Sequence, residues 1–164
     1  MPIFQGTYTI TNLKSQTRCD LDGGNSANGT KVQGWGPLSP DVPEYPNQVW
    51  KVLYTNKPGV DSYTISNVRT GTYIEISGGN ATDGTAVTCS AASAGAQTTD
   101  EQEWEFVKVD NSGYYKVRNV KSQTYLDIDA GSSANATKLQ GWWGLLDGNE
   151  NQLWAFNPVT IGAA

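Results

Sequence analysis

The sequence predicts an all-β fold with almost no helix, built from three copies of one four-stranded unit. Three observations lead there. The segment YTITNLKSQTRCDLDGGNSANGTKVQGWG, beginning at Tyr8, returns without gaps as YTISNVRTGTYIEISGGNATDGTAVTCSA at Tyr63 and as YKVRNVKSQTYLDIDAGSSANATKLQGWW at Tyr115. Each copy is followed, after a loop, by a Gln-x-Trp: Gln48–Trp50, Gln102–Trp104 and Gln152–Trp154. Short β-rich stretches alternate with Gly, Asn and Ser turns, and no segment sustains a helical apolar period.

Each unit opens on an alternating strand. Tyr8, Ile10 and Asn12 share one face, as do Tyr63, Ile65 and Asn67, with Thr9 and Thr11, or Thr64 and Ser66, on the other. A polar turn follows (KSQT, RTGT, KSQT). The second strand carries Cys19-Asp20-Leu21, Ile74-Glu75-Ile76 or Leu126-Asp127-Ile128. After a Gly/Asn/Ser turn, a third strand spans Lys31–Gln33, Ala86–Thr88 or Lys138–Gln140. The fourth holds the Trp, in NQVWKVL, EQEWEFV and NQLWAFN, and the closing NPVTIGAA is expected to extend the last strand. One unit has too few strands to hide its apolar face, so all three must close together. Twelve short strands with threefold repetition fit a β-trefoil, in which six form a barrel and six form hairpins that cap it. The chain reads as a single domain, 1–164, with repeats at roughly 1–58, 59–110 and 111–164.

At 164 residues the chain is long enough to bury a core. Its net charge is −5, with the cationic residues scattered, which argues against a nucleic-acid or anionic-membrane partner. No window approaches the roughly eighteen apolar residues of a membrane-spanning helix, so membrane insertion is not expected. The opening MPIFQGTYTI lacks the basic and apolar regions of a secretion signal, so the expected location is cytoplasmic, or outside the cell by a non-classical route. The chain contains no His. That removes the usual general base and the usual metal ligand, and with them every Ser-His, Cys-His or zinc-His site. No metal and no cofactor are expected. Cys19 and Cys89 occupy non-equivalent positions of different repeats and read as half-buried free thiols.

Three copies of an Asp strand, an NGT-type turn, a VQGW-type loop and an NQxW strand resemble the ricin-B-type lectin family, and the acidic, His-free form is similar to cytoplasmic mushroom lectins. The resemblance spans essentially the whole chain. It implies one shallow sugar pocket per repeat. An Asp accepts hydrogen bonds from sugar hydroxyls, an aromatic on the loop after the third strand covers the apolar face of the sugar, and an Asn and a Gln assist. Carried over residue by residue, it implies a carbohydrate site in the first repeat at Asp20, Gln33, Trp35 and Asn47. A second falls in the third repeat at Asp127, Gln140, Trp142 and Asn151. In the middle repeat Glu75, Thr88, Ser90 and Glu101 stand at those positions, so that pocket is expected to be lost while its scaffold remains.

What all three copies keep reads as scaffold. Gln48, Trp50, Gln102, Trp104, Gln152 and Trp154 are expected in the core, with the amides satisfying backbone groups near the turn. Asn12, Asn67 and Asn119 are expected to hold turns. Asp22 and Asp129 read as solvated turn residues, and Trp143 either as a second plate or as packing. The sequons at Asn28, Asn80 and Asn135 read as turn residues. The loops before Gln-x-Trp differ most, and Tyr45 of the Pro-rich first loop is expected to reach the first site.

The functional expectation is a non-catalytic, multivalent lectin for galactose or N-acetylgalactosamine-type glycans. Such an agglutinin would serve in defence, and a homodimer would add sites. The alternative is a β-trefoil protease inhibitor acting through the exposed loop 36–46. An enzyme is not expected, because the shared acidic residue occurs once per repeat, on separate lobes, so no two would converge.

Overall fold

A computed structural model describes residues 4–93, 95, 97–144 and 149–160. Its strands are β1 (Gly6–Asn12), β2 (Arg18–Leu21), β3 (Thr30–Trp35) and β4 (Trp50–Tyr54) in the first repeat. The second repeat has β5 (Tyr63–Asn67), β6 (Tyr73–Ile76), β7 (Thr85–Ser90) and β8 (Trp104–Val109). The third has β9 (Tyr114–Asn119), β10 (Tyr125–Ile128), β11 (Thr137–Trp142) and β12 (Trp154–Pro158). Helical backbone among the described residues is confined to short 3-10 turns, such as Asp22–Gly24 and Tyr45–Gln48.

The pairing closes two rings. Antiparallel contacts run β1–β4, β4–β5, β5–β8, β8–β9, β9–β12 and back from β12 to β1, which is a six-stranded barrel. The other six strands form the hairpins β2–β3, β6–β7 and β10–β11. Their outer strands pair with one another, β3–β7, β7–β11 and β11–β3, and close a triangular cap. This is the β-trefoil, and closure leaves no long unpaired edge among the described residues.

The third strands are longer than the sequence alone suggests. Each continues to the position of the pocket aromatic, because the hairpin register extends to Arg18 opposite Trp35, Tyr73 opposite Ser90 and Tyr125 opposite Trp142. Trp35 and Trp142 therefore end strands and do not sit on loops. In the closing segment, Asn157 and Pro158 complete β12 and the Val159 N–H donates to the Thr7 carbonyl at 2.8 Å; residues 161–164 lie outside the described residues.

The alternating faces fill the barrel in threefold sets. Ile10, Ile65 and Val117, then Leu21, Ile76 and Ile128, then Val32, Val87 and Leu139 are all buried. Trp50, Trp104 and Trp154 are wholly buried, and each indole Nε1 donates at 3.0 Å to a second-strand carbonyl, that of Cys19, Ile74 and Leu126 respectively. A buried Trp needs such an acceptor. Phe4 touches rings from all three repeats, including Tyr8, Phe106 and Tyr115. Cys19 and Cys89 are free but fully buried, and burial raises both thiol pKa values. They are thus packed as small core residues, deeper than the half-buried position expected of them.

The three Asn residues clamp one repeat to the next. Each side-chain oxygen accepts from turn N–H groups just after it: Ser15 to Asn12, Arg69 to Asn67 and Lys121 to Asn119. Each side-chain amide donates to the segment before Gln-x-Trp in the preceding repeat, at Asn151, Asn47 and Glu101. Glu103, the middle residue of the second Gln-x-Trp, is buried and ionically paired with Lys57 at 2.7 Å, while the Thr98 hydroxyl donates to it at 2.8 Å.

Candidate functional site

In the first repeat Asp20, Gln33, Trp35 and Asn47 come together around one open cavity of about 380 Å³. β2 supplies Asp20, its antiparallel neighbour β3 supplies Gln33 and Trp35, and the 3-10 turn before Trp50 supplies Asn47. Asp20 and Gln33 are directly opposite in the ladder, and the Gln33 amide donates to Asp20 Oδ1 at 3.2 Å. The other carboxylate oxygen accepts from Gln48 Nε2 at 3.0 Å. An ionised carboxylate offers about four acceptor positions, so two remain for hydroxyl donors entering the cavity.

Burial raises the pKa of Asp20; the Gln48 and Gln33 hydrogen bonds act against that rise, while Asp22 adds to it. The pocket thus holds a carboxylate that is incompletely compensated, which is what a hydroxyl donor satisfies. Asn47 is buried as well, and its Oδ1 has no hydrogen-bond partner among the described residues. Its amide lies over Gly24, which has φ +60; a Cβ there would fall 2.5 Å from Asn47 Oδ1, so only glycine leaves room. Trp35 is half-buried and lines the cavity.

The third repeat rebuilds this arrangement. Asp127, Gln140, Trp142 and Asn151 surround a cavity of about 280 Å³, with Asp129 and Ala130 completing the described wall. Gln140 donates to Asp127 Oδ1 and Gln152 to Oδ2, both at 3.1 Å. Burial again raises the Asp127 pKa, opposed by Gln140 and Gln152 and reinforced by Asp129 and Asp83. Gly131 repeats the role of Gly24: its φ is +64, and a Cβ there would fall 2.5 Å from Asn151 Oδ1. Residues 145–148 of the loop beside this site lie outside the described residues.

The middle repeat has the frame without the fittings. Gln102 keeps its structural bonds, donating to the Ala91 carbonyl at 2.8 Å and accepting from the Ser93 N–H at 2.9 Å. Glu75 is buried, its pKa raised by that burial, lowered by a Ser90 hydrogen bond and raised by Glu101. Ser90 stands where the other copies have Trp, so no apolar plate exists at that position.

Two features were beyond the sequence. Gln48 and Gln152 are more than scaffold, because the same amides that fix Gly36 and Trp143 carbonyls also aim the carboxylates. Their presence in all three copies masked this. The Pro-rich loop reaches the first site through Leu38 and Glu44; Tyr45 is not among its walls. Gln48 Oε1 accepts from the Leu38 N–H at 3.0 Å, Arg18 donates to the Leu38 carbonyl at 3.1 Å, and Arg69 donates to the Pro43 carbonyl, so that loop is tied down. Asp22, exposed in its turn, also lines the cavity. Trp143, 53% exposed, follows the strand end and is not among the described walls of the third site.

Among solved structures, a designed threefold-symmetric protein, ThreeFoil, matches with a TM-score of 0.80 at 21% identity, over 94% of this chain and 99% of that one. The agglutinin of Rhizoctonia solani matches with a TM-score of 0.78 at 25% identity, over 97% and 99% of the two chains. A ricin B-like lectin of Macrolepiota procera, solved in complex with lactose, matches with a TM-score of 0.74 at 23% identity, over 97% and 100%. Against curated protein sequences the chain gives no significant match. The family model described as "Ricin-type beta-trefoil lectin domain-like" matches residues 46–142 and 100–163. Most of the chain lies within those matches, and the protein belongs to the ricin-type β-trefoil lectin domain-like family.

Proposed function

We propose that the protein is a non-catalytic lectin that binds galactose or N-acetylgalactosamine-type glycans at two sites, in the first and third repeats. One observation carries the reading. The same Asp, Gln, Trp and Asn are assembled twice around an open cavity, and all four are replaced in the middle copy while the core around them is kept. Galactose-type sugars gather C–H groups on one face and present hydroxyls at the edge. An indole suits the first and a partly desolvated carboxylate the second. The lactose bound by the Macrolepiota procera lectin is consistent with this class.

Each pocket is shallow, so a monosaccharide should bind with a Kd of roughly 1 mM, about 4 kcal/mol. Two sites on one rigid body would raise the apparent affinity on a glycan-coated surface by about 10²-fold or more, and a homodimer would raise it further. That supports agglutination and a role in defence. The two carboxylates serve separate repeats, which speaks against glycoside cleavage by a pair. The loop proposed as an inhibitor's reactive segment is here the wall of a cavity, tied by Gln48, Arg18 and Arg69. The test is a glycan array on the intact protein, repeated with Trp35→Ala and Trp142→Ala. Signal on galactosyl glycans that falls with each variant supports the reading; no signal on any galactosyl glycan overturns it. Inhibition of trypsin or papain by the intact protein would instead favour the inhibitor.

A further inference from the structure

We infer that each sugar pocket is completed by the preceding repeat, and that Asn135 and Asp83 are positioning residues for the first and third sites respectively. The inference rests on the two-site reading above. It starts from three equivalent contacts at the hairpin tips. The turn Asn28-Gly29 lies against the end of β7: the Gly29 N–H donates to the Cys89 carbonyl at 2.9 Å, and Asn28 Oδ1 accepts from the Ala91 N–H at 2.9 Å. The turn Asp83-Gly84 does the same at the end of β11, with the Gly141 carbonyl at 2.9 Å and the Trp143 N–H at 2.8 Å. Asn135-Ala136 does so at the end of β3, with the Gly34 carbonyl at 2.9 Å and the Gly36 N–H at 2.8 Å.

In every case the two bonds straddle one residue, and that residue is the pocket position: Ser90, Trp142 or Trp35. The carbonyl before it and the N–H after it are both held by the neighbouring repeat. Trp35 has glycine on both sides and Trp142 follows Gly141, so the backbone beside each ring has more conformational freedom than other residues would leave it. The clamp removes that freedom before sugar arrives, which lowers the ordering cost of binding.

The consequence is a cyclic assignment. The third repeat serves the first site, and the middle repeat, whose own pocket has decayed, serves the third. The first repeat's turn is spent on Ser90. This gives the middle copy a reason to retain an Asp at position 83. It also gives Asn28 and Asn135 a reason unrelated to their sequons, since both side chains are engaged as acceptors.

The test compares Asn135→Ala, Asp83→Ala and Asn28→Ala, with galactose titrated into isotopically labelled protein and each Trp indole followed separately. Asn135→Ala should weaken binding at Trp35 by about threefold to tenfold and leave Trp142 unchanged, in proportion to one hydrogen bond. Asp83→Ala should do the reverse, and Asn28→Ala should affect neither site. Asn135→Asp should restore the first site, because an Asp already performs this role at position 83. A uniform loss at both sites in all three variants, or no loss in any, overturns the inference. Indole mobility without sugar separates this from failure of the lectin reading. If the wild type binds no galactose at either indole, the two-site reading fails, while increased Trp35 mobility in Asn135→Ala would still uphold the clamp and unchanged mobility would refute it.

Discussion

Replacing Asp20 by Asn separates what the carboxylate does for the ligand from what it does for the fold. Gln48 is fixed, since its amide also holds the Gly36 carbonyl and the Leu38 N–H, so it keeps donating to the new side-chain oxygen. The Asn amide then faces Gln33, whose own amide turns over to accept from it. The hydrogen-bond count is preserved and a buried charge is removed. Burial holds the folded pKa of Asp20 above 3.8, so the native state binds this proton more tightly than the unfolded chain does. The stability this group contributes is therefore fully present below 3.8 and is lost as pH rises through the folded pKa. At pH 7 Asp20→Asn should melt at or above the wild-type temperature. Binding should respond in the opposite sense. Hydrogen bonds to a charged acceptor contribute about 1.5–3 kcal/mol, a large share of the roughly 4 kcal/mol available to a monosaccharide. First-site affinity should fall by about 10-fold to 150-fold. Calorimetric melting and galactose titration followed at the Trp35 indole measure the two effects. A melting point lowered by more than about 4 °C, or over about 1 kcal/mol at this length, would show that the carboxylate is a structural clasp. Unchanged affinity at Trp35 would refute it as the sugar acceptor.

Other outcomes follow from the same geometry. Sugar affinity should drop on acidification, with a midpoint above 3.8 at both sites, because burial raises both carboxyl pKa values; titration from pH 7 downward tests this. Trp35→Ala should abolish the first site with a near-native melting point. Trp50→Ala removes a wholly buried ring and its bond to the Cys19 carbonyl, so it should cost about 3–5 kcal/mol in urea unfolding. Gly34→Ala would place a Cβ 2.7 Å from Ile128 Cδ1 and should destabilise by about 1–3 kcal/mol. Lys57→Met strands the buried Glu103 charge and should cost about 2 kcal/mol, below the about 3–5 of a fully buried pair because Lys57 is 42% exposed. Adding Glu103→Val, the residue type at the equivalent Val49, should recover that loss.

The repeat made the architecture legible. Alternation places Ile10, Ile65 and their neighbours inside, and the three Gln-x-Trp motifs mark the core tryptophans from sequence alone. Comparison between copies also separated Trp35 and Trp142 from Trp50, Trp104 and Trp154. Contacts between repeats were not legible, because nothing in a local window says which turn lies against which strand. The Asn135–Gly36 bond links residues far apart in sequence, and the hairpin cap that creates it depends on closure of all three copies. Recurrence in every copy marks Gln48 as core, yet in the first and third copies that position also aims a carboxylate. Leu38 and Glu44 enter the first cavity only because the Pro-rich loop is folded back by Gln48 and Arg18. The depth of Cys19 and Cys89 follows from the cap, which no composition argument reveals.

The central claim is a threefold scaffold with two binding sites, and five of the six indoles report on it directly. Galactose titrated to saturation against the indole N–H resonances should move Trp35 and Trp142 along binding curves and leave Trp50, Trp104 and Trp154 in place, with backbone signals around Glu75 and Ser90 silent. Saturable shifts centred on Ser90, or none at Trp35 and Trp142, would contradict it.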